Sequence, residues 1–148
     1  MSPEFSVWIH VSRPPAEVFE AVADPALLSR YFTTGGAVGR METGQTVQWD
    51  FHDFPGAFPV EVIEAIPGER IQFLWRRNDG SGNNEVRFVF EPVDGGSRTK
   101  VSVTETGWAA DDAGRKASYA NCMGWSQMLC ALKGWLEYGI NLREGAYK

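Results

Sequence analysis

The residues able to do chemistry are few, and their surroundings limit what that chemistry could be. There are two histidines and two cysteines. His10 alternates with Ile9 and Val11 on an extended segment, so its ring is expected to face solvent. His52 ends another such segment, just before the turn sequence Asp53-Phe54-Pro55-Gly56. Neither histidine lies in a HEXXH, HXH or CXXC context, so no metal site is assigned. There is no GxSxG elbow, and neither cysteine has a recognisable base arrangement. The segments DGSGNN (Asp79 to Asn84) and DGGS (Asp94 to Ser97) lack the lysine and following helix of a phosphate-binding loop, and read as hairpin turns. No catalytic residue and no cofactor is assigned. Glu105 stands apart. It continues the alternation of Val101 and Val103 and should point inward, where apolar walls favour a neutral carboxyl group able to donate a hydrogen bond or act as a general acid. The reading preferred on sequence is plainer: a solvated rim position, or an ion pair with Arg76 or Arg77.

The second constellation is aromatic. Six Trp, four Tyr and nine Phe are more ring surface than a minimal core of this size needs. Two-residue phasing puts Val47, Trp49 and Phe51 on one strand face, Phe73 and Trp75 on another, and Phe88 with Phe90 on a third. These rings either fill a solid core or line a pocket, and phasing alone leaves both open.

The elements that position these residues follow from period and punctuation. Residues 5–11 alternate as a first strand. Pro14-Pro15 opens a helix with Val18, Phe19 and Val22 on one side, and Asp24-Pro25 caps a second short helix, ALLSRYF. Strands are expected near 37–41, 45–52, 58–66, 70–77, 84–91 and 98–106. The breaks between them are Thr43-Gly44, Pro55-Gly56, Pro67-Gly68, DGSGNN and DGGS. Breaks this short join antiparallel neighbours, which makes an α+β chain built on an antiparallel meander. After Trp108 the period becomes helical. Trp125, Met128, Leu129, Leu132, Trp135 and Leu136 form one stripe of a helix expected from about 112 to about 141. Gly114, Gly124 and Gly134 each cost that helix about 1 kcal/mol relative to alanine, so at least one is expected to permit close packing against a strand. Residues 1–148 are read as one domain.

Charge and composition narrow the partners. Fourteen basic against 19 acidic residues give a net charge of −5, and no basic run exceeds a pair, which argues against nucleic acid and anionic membrane. The N-terminal stretch has no signal-peptide pattern, and no apolar run approaches the ~18 residues of a membrane span. Cys122 and Cys130, eight positions apart on one helix, are roughly 12 Å apart and cannot bridge. Free thiols without an export signal predict the cytoplasm.

Several stretches taken together resemble one family. PPAEVFEAVADPALLSRYF, VEVIEAIPGERIQFLW, VSVTETGW and GWSQMLCALKGWLEYG, in that order, are similar to the Hsp90-ATPase-activator-like branch of the START-like (SRPBCC) superfamily. The resemblance implies a helix-grip fold, with a curved sheet of about seven strands around the C-terminal helix and two short helices after the first strand. It also implies a cavity between sheet and helix, which in many relatives takes lipids, hormones or polyketides. The lining would be Trp49, Phe51, Phe73, Trp75, Phe88, Phe90, Val103, Glu105, Trp125, Met128 and Leu132. The expected function is non-covalent binding of a small apolar or amphipathic ligand. Two alternatives stay open: a stress-related module on an Hsp90-type chaperone, and a cyclase, dehydratase or hydrolase. The oligomeric state is open, a homodimer included.

Overall fold

Alternation of apolar and polar residues over most of the middle of the chain produces seven antiparallel strands in one sheet. The computed structural model describes residues 1–77 and 79–148. The strands are β1 (Phe5–Val11), β2 (Gly36–Val38), β3 (Thr46–Phe51), β4 (Phe54–Ile66), β5 (Arg70–Arg76), β6 (Asn83–Val93) and β7 (Arg98–Thr106). Their order is β1-β7-β6-β5-β4-β3-β2, a meander from β2 to β7 with the N-terminal strand added beside β7. β7 shows the pattern most cleanly, its residues alternating between half-exposed and buried along the whole strand. The sheet curves around helix α3 (Asp112–Tyr138), whose Trp125, Met128, Leu129 and Leu132 are buried in one core with Trp49, Phe73, Phe88, Phe90 and Val103.

Two short helices close the remaining side. Helix α1 (Pro15–Ala23) has proline in its first turn, where a missing N–H costs nothing, and packs Phe19 edge-on against Phe90 at 5.5 Å. Helix α2 (Pro25–Leu28) is capped by Asp24, whose Oδ1 accepts from Ala26 N at 2.9 Å. It is shorter than expected: after Leu28 the chain tightens into turns, with Arg30 N bonding Leu27 O three residues back. Tyr31 follows, fully buried, its hydroxyl donating to Ala21 O at 2.8 Å, and burial pushes its ionisation well above the usual tyrosine value.

Two further boundaries, and the role of the helix glycines, differ from the sequence reading. Pro55-Gly56 does not break the sheet; β4 already begins at Phe54, opposite Phe51, and the turn is His52-Asp53. Proline is tolerated there because β5 pairs with β4 only from Val60 onward, so Pro55 and Pro59 lie where β4 has one neighbour. Helix α3 stops at Tyr138, because Gly139 takes the left-handed conformation (φ 66°) and donates to Gly134 O and Trp135 O. The helix glycines do not meet strands. A Cβ on Gly114 would strike Ala109 O, and one on Gly134 would come within 2.9 Å of Leu142 in the C-terminal tail.

The C-terminal half of α3 is clamped to the end of β1. Glu137 accepts from Ser12 N at 3.0 Å and from Lys133, which also donates to His10 O at 2.9 Å. Burial alone would raise the Glu137 ionisation, but the bonds from Lys133 and the Ser12 amide outweigh it and hold the carboxyl below its ordinary value.

Candidate functional site

Glu105 lies inside the fold. It sits near the end of β7 in the inward phase and is fully buried, in place of the rim position or arginine pairing preferred on sequence. Its two oxygens accept from Trp75 Nε1 (3.2 Å), Asn84 Nδ2 (2.8 Å), Trp125 Nε1 (2.7 Å) and Asn121 Nδ2 (3.0 and 3.2 Å). Every partner is a neutral N–H, and a carboxylate, with its several lone pairs, meets all of them. Glu105 is therefore an acceptor here, with no group placed to take a proton from it among the described residues. Arg77 reaches it indirectly, donating Nε–H to Asn84 Oδ1 at 2.8 Å. Gly107 makes room for this arrangement: at φ 117° it has no Cβ, and one would stand 2.9 Å from Asn84 Oδ1.

The carboxylate fixes a wall. Trp75 and Trp125, both held by it, lie with ring centroids 5.0 Å apart, and Trp125 continues to Phe32 at 5.7 Å. In front of these rings is an open-mouthed hollow of about 330 Å³, lined by Phe32, Phe51, Asp53, Trp75, Asn121, Gly124, Trp125 and Gln127, with Phe54, Met123 and Tyr147 around its rim. The rim side chains are largely exposed (Phe54 76%, Met123 60%, Tyr147 48%), an unusual concentration of wet apolar surface at one opening. A larger hollow of about 740 Å³ lies on the outer face of the sheet, but its lining is mostly charged, with Glu64, Arg70, Arg87 and Glu91 among it. Phe90 is its one aromatic lining residue, and that ring is 2% exposed, so the hollow is a poor match for an apolar ligand.

Of the eleven residues expected to line a cavity, three border the hollow: Phe51, Trp75 and Trp125. Glu105 lies behind two of these. Trp49, Phe73, Phe88, Phe90, Val103, Met128 and Leu132 are packed in the core, at most 2% exposed. Trp49 and Phe73 are 5.4 Å apart edge to face, and Phe73 and Phe88 are 6.1 Å apart. The interlocked rings fill that part of the space between sheet and helix. What phasing did not find are the groups from turns and tail. Asp53 belongs to the β3–β4 turn, and Arg143 comes from the tail after Gly139. Arg143 donates to Asp53 Oδ1 from Nη2 at 2.9 Å and Nε at 3.3 Å, and its guanidinium lies 4.6 Å from the Phe51 ring and 5.3 Å from that of Tyr147. Asn121 could have been found, since it stands one helical turn before Trp125 and shares its face. Neither histidine enters the site. His10 lies beside Trp8 on the outer face, the rings tilted at 50° with centroids 5.1 Å apart, and His52 Nδ1 pairs with Thr34 Oγ1 in the exposed turn. Among the described residues no cluster of three His, Cys, Asp or Glu could hold a metal ion, and no helix is long and apolar enough to cross a membrane.

The model of one protein family, described as activator of Hsp90 ATPase homolog 1-like protein, matches residues 12–137. The chain belongs to that family. Solved structures agree on the fold. A protein from Staphylococcus saprophyticus is 25% identical, with a TM-score of 0.81, covering 95% of this chain and 96% of its own. The Aha1 dimer from Colwellia psychrerythraea is 23% identical (TM-score 0.75; 93% and 98% covered). DynU16, from the dynemicin biosynthetic locus, is 27% identical (TM-score 0.77); the match takes in 92% of this chain but 48% of that one. Among curated proteins none matches this sequence. Family and fold together establish the helix-grip architecture, with its curved antiparallel sheet around a long C-terminal helix.

Proposed function

We propose that this family member binds a small, mainly aromatic molecule in the hollow beside Trp75 and Trp125. The observation that carries the reading is Gly124. It sits in the interior of α3, facing the hollow, and a Cβ built there meets nothing within 4 Å. Alanine would fit and would favour the helix by about 1 kcal/mol. Glycine at this position thus gives up helix stability and leaves the hollow larger, which suits a binding wall and has no use in a solid core. The aromatic faces provide affinity through burial at ~25 cal/mol per Å², and the polar groups of Asp53 and Asn121 provide orientation. The two free cysteines fit a cytoplasmic setting. The test is titration of the folded protein with environment-sensitive apolar dyes. Saturable one-site binding that perturbs tryptophan emission is expected, and indifference to a broad panel overturns the reading.

A second reading, association with an Hsp90-type chaperone, has one specific support, the description of the matching family. It predicts co-purification with the chaperone and stimulation of its ATPase, lost on replacing exposed rim residues such as Met123 and retained when the hollow is filled. The Colwellia relative is a dimer, and sedimentation equilibrium would reveal a homodimer of this chain.

A further inference from the structure

Asp53 presents a polar atom that the fold leaves unused. Its side chain is 2% exposed, and only Oδ1 takes the two Arg143 donors. Oδ2 is buried and accepts no hydrogen bond among the described residues. Native structures leave few buried polar atoms without a partner, because the lost hydration is not replaced. Asp53 is also part of the wall of the hollow, beside the rings of Phe32 and Phe51. We infer that Asp53 Oδ2 is the polar anchor of the hollow, and that the ligand is a flat aromatic molecule carrying a neutral N–H or O–H donor that pairs with it. The inference rests on the binding function proposed above and adds the ligand's chemistry.

Three observations define that class. The walls are ring faces, which favour a flat body able to stack or meet them edge-on. The volume of about 330 Å³ is at the small end for ligand sites, enough for two or three fused rings. The donor is neutral because Arg143 already balances Asp53, and a cation at Oδ2 would lie beside the guanidinium and be repelled by it. Oδ2 is closed to solvent in this conformation. Phe54 and Tyr147 at the rim are exposed and change rotamer in picoseconds to nanoseconds, and binding at Oδ2 requires a side-chain movement of this kind to open a path to it.

The experiment is displacement of a bound apolar dye by matched ligands. Carbazole and dibenzofuran share one tricyclic shape, but only carbazole has an N–H. The wild-type protein should bind carbazole about tenfold or more tightly than dibenzofuran, the range for a hydrogen bond to a charged group. Asp53→Asn keeps a carbonyl oxygen for Arg143 and turns an amide N–H₂ toward the free position, so the ratio of the two tricycles' affinities should fall to about one. Between 2-naphthylmethanol and 2-naphthylmethylamine, a cation at neutral pH, the alcohol should bind more tightly. Equal affinity for the two tricycles, or an unchanged preference in Asp53→Asn, overturns the anchor and leaves the hollow as a plain apolar site. Tighter binding of the ammonium overturns the neutral donor. Absence of any dye or ligand binding overturns the binding function itself. Should the variant fail to fold, the wild-type tricycle pair decides alone.

Discussion

Replacing Glu105 by glutamine would turn one of its acceptor oxygens into a donor facing other donors. At least one of Trp75, Asn84, Asn121 and Trp125 then lacks a partner, at a cost of about 1–3 kcal/mol. A lowered denaturant midpoint should report it, and an unchanged midpoint would mean that the network contributes nothing. Leu132→Ala belongs to the solid part of the interior, where Leu132 is 0% exposed, and should cost roughly 2–5 kcal/mol in the same titration. Glu137 supplies a pH dependence. Its carboxyl ionises below the ordinary value of 4.5 in the folded state, so its contribution is fully present above pH 4.5 and is lost as the pH falls through the depressed folded value. Glu137→Gln should therefore lower stability at pH 7 and flatten the loss below pH 4.5, measured as thermal midpoint against pH. At this scale the alternation of β7 was enough to aim Glu105 inward. Its partners were not legible, because Asn84, Asn121 and both tryptophans come from three different elements.

Among the elements, strands were the most legible, since a face buried against one helix imposes a strict two-residue pattern. Ends were less so. Ile140 and Leu142 prolong the apolar pattern of α3, and only the left-handed Gly139 turns them into a tail. That tail contributes Arg143, 90 residues from Asp53 in sequence, and no local pattern could have paired them. The tail is held by this contact, by the guanidinium over Phe51, and by Leu142 lying against Gly134. Arg143→Ala leaves Asp53 buried without a partner and should cost about 3 kcal/mol or more. It should also raise amide exchange over residues 140–148. Protection of the tail in the variant equal to wild type would show that other contacts hold it.

For the whole molecule, the division is between a packed interior and an open hollow at one end of it. Phasing brought out much of the packed interior and three residues of the hollow, Phe51, Trp75 and Trp125, without separating them. Trp49 and Trp75 lie on inward faces of their strands, yet one is locked among Phe32, Phe73 and Trp75 while the other borders open space. Where the space lies depends on Gly124, on the β3–β4 turn and on the tail, none of which carries a periodic signal. The most direct measurement is dye affinity and unfolding free energy of Gly124→Leu beside wild type. A leucine side chain would occupy the hollow and remove a helix glycine. The variant should be at least as stable as wild type, by up to about 1 kcal/mol, and should lose at least tenfold in dye affinity. A folded Gly124→Leu protein that binds the dye as tightly as wild type would contradict the placement of the binding site.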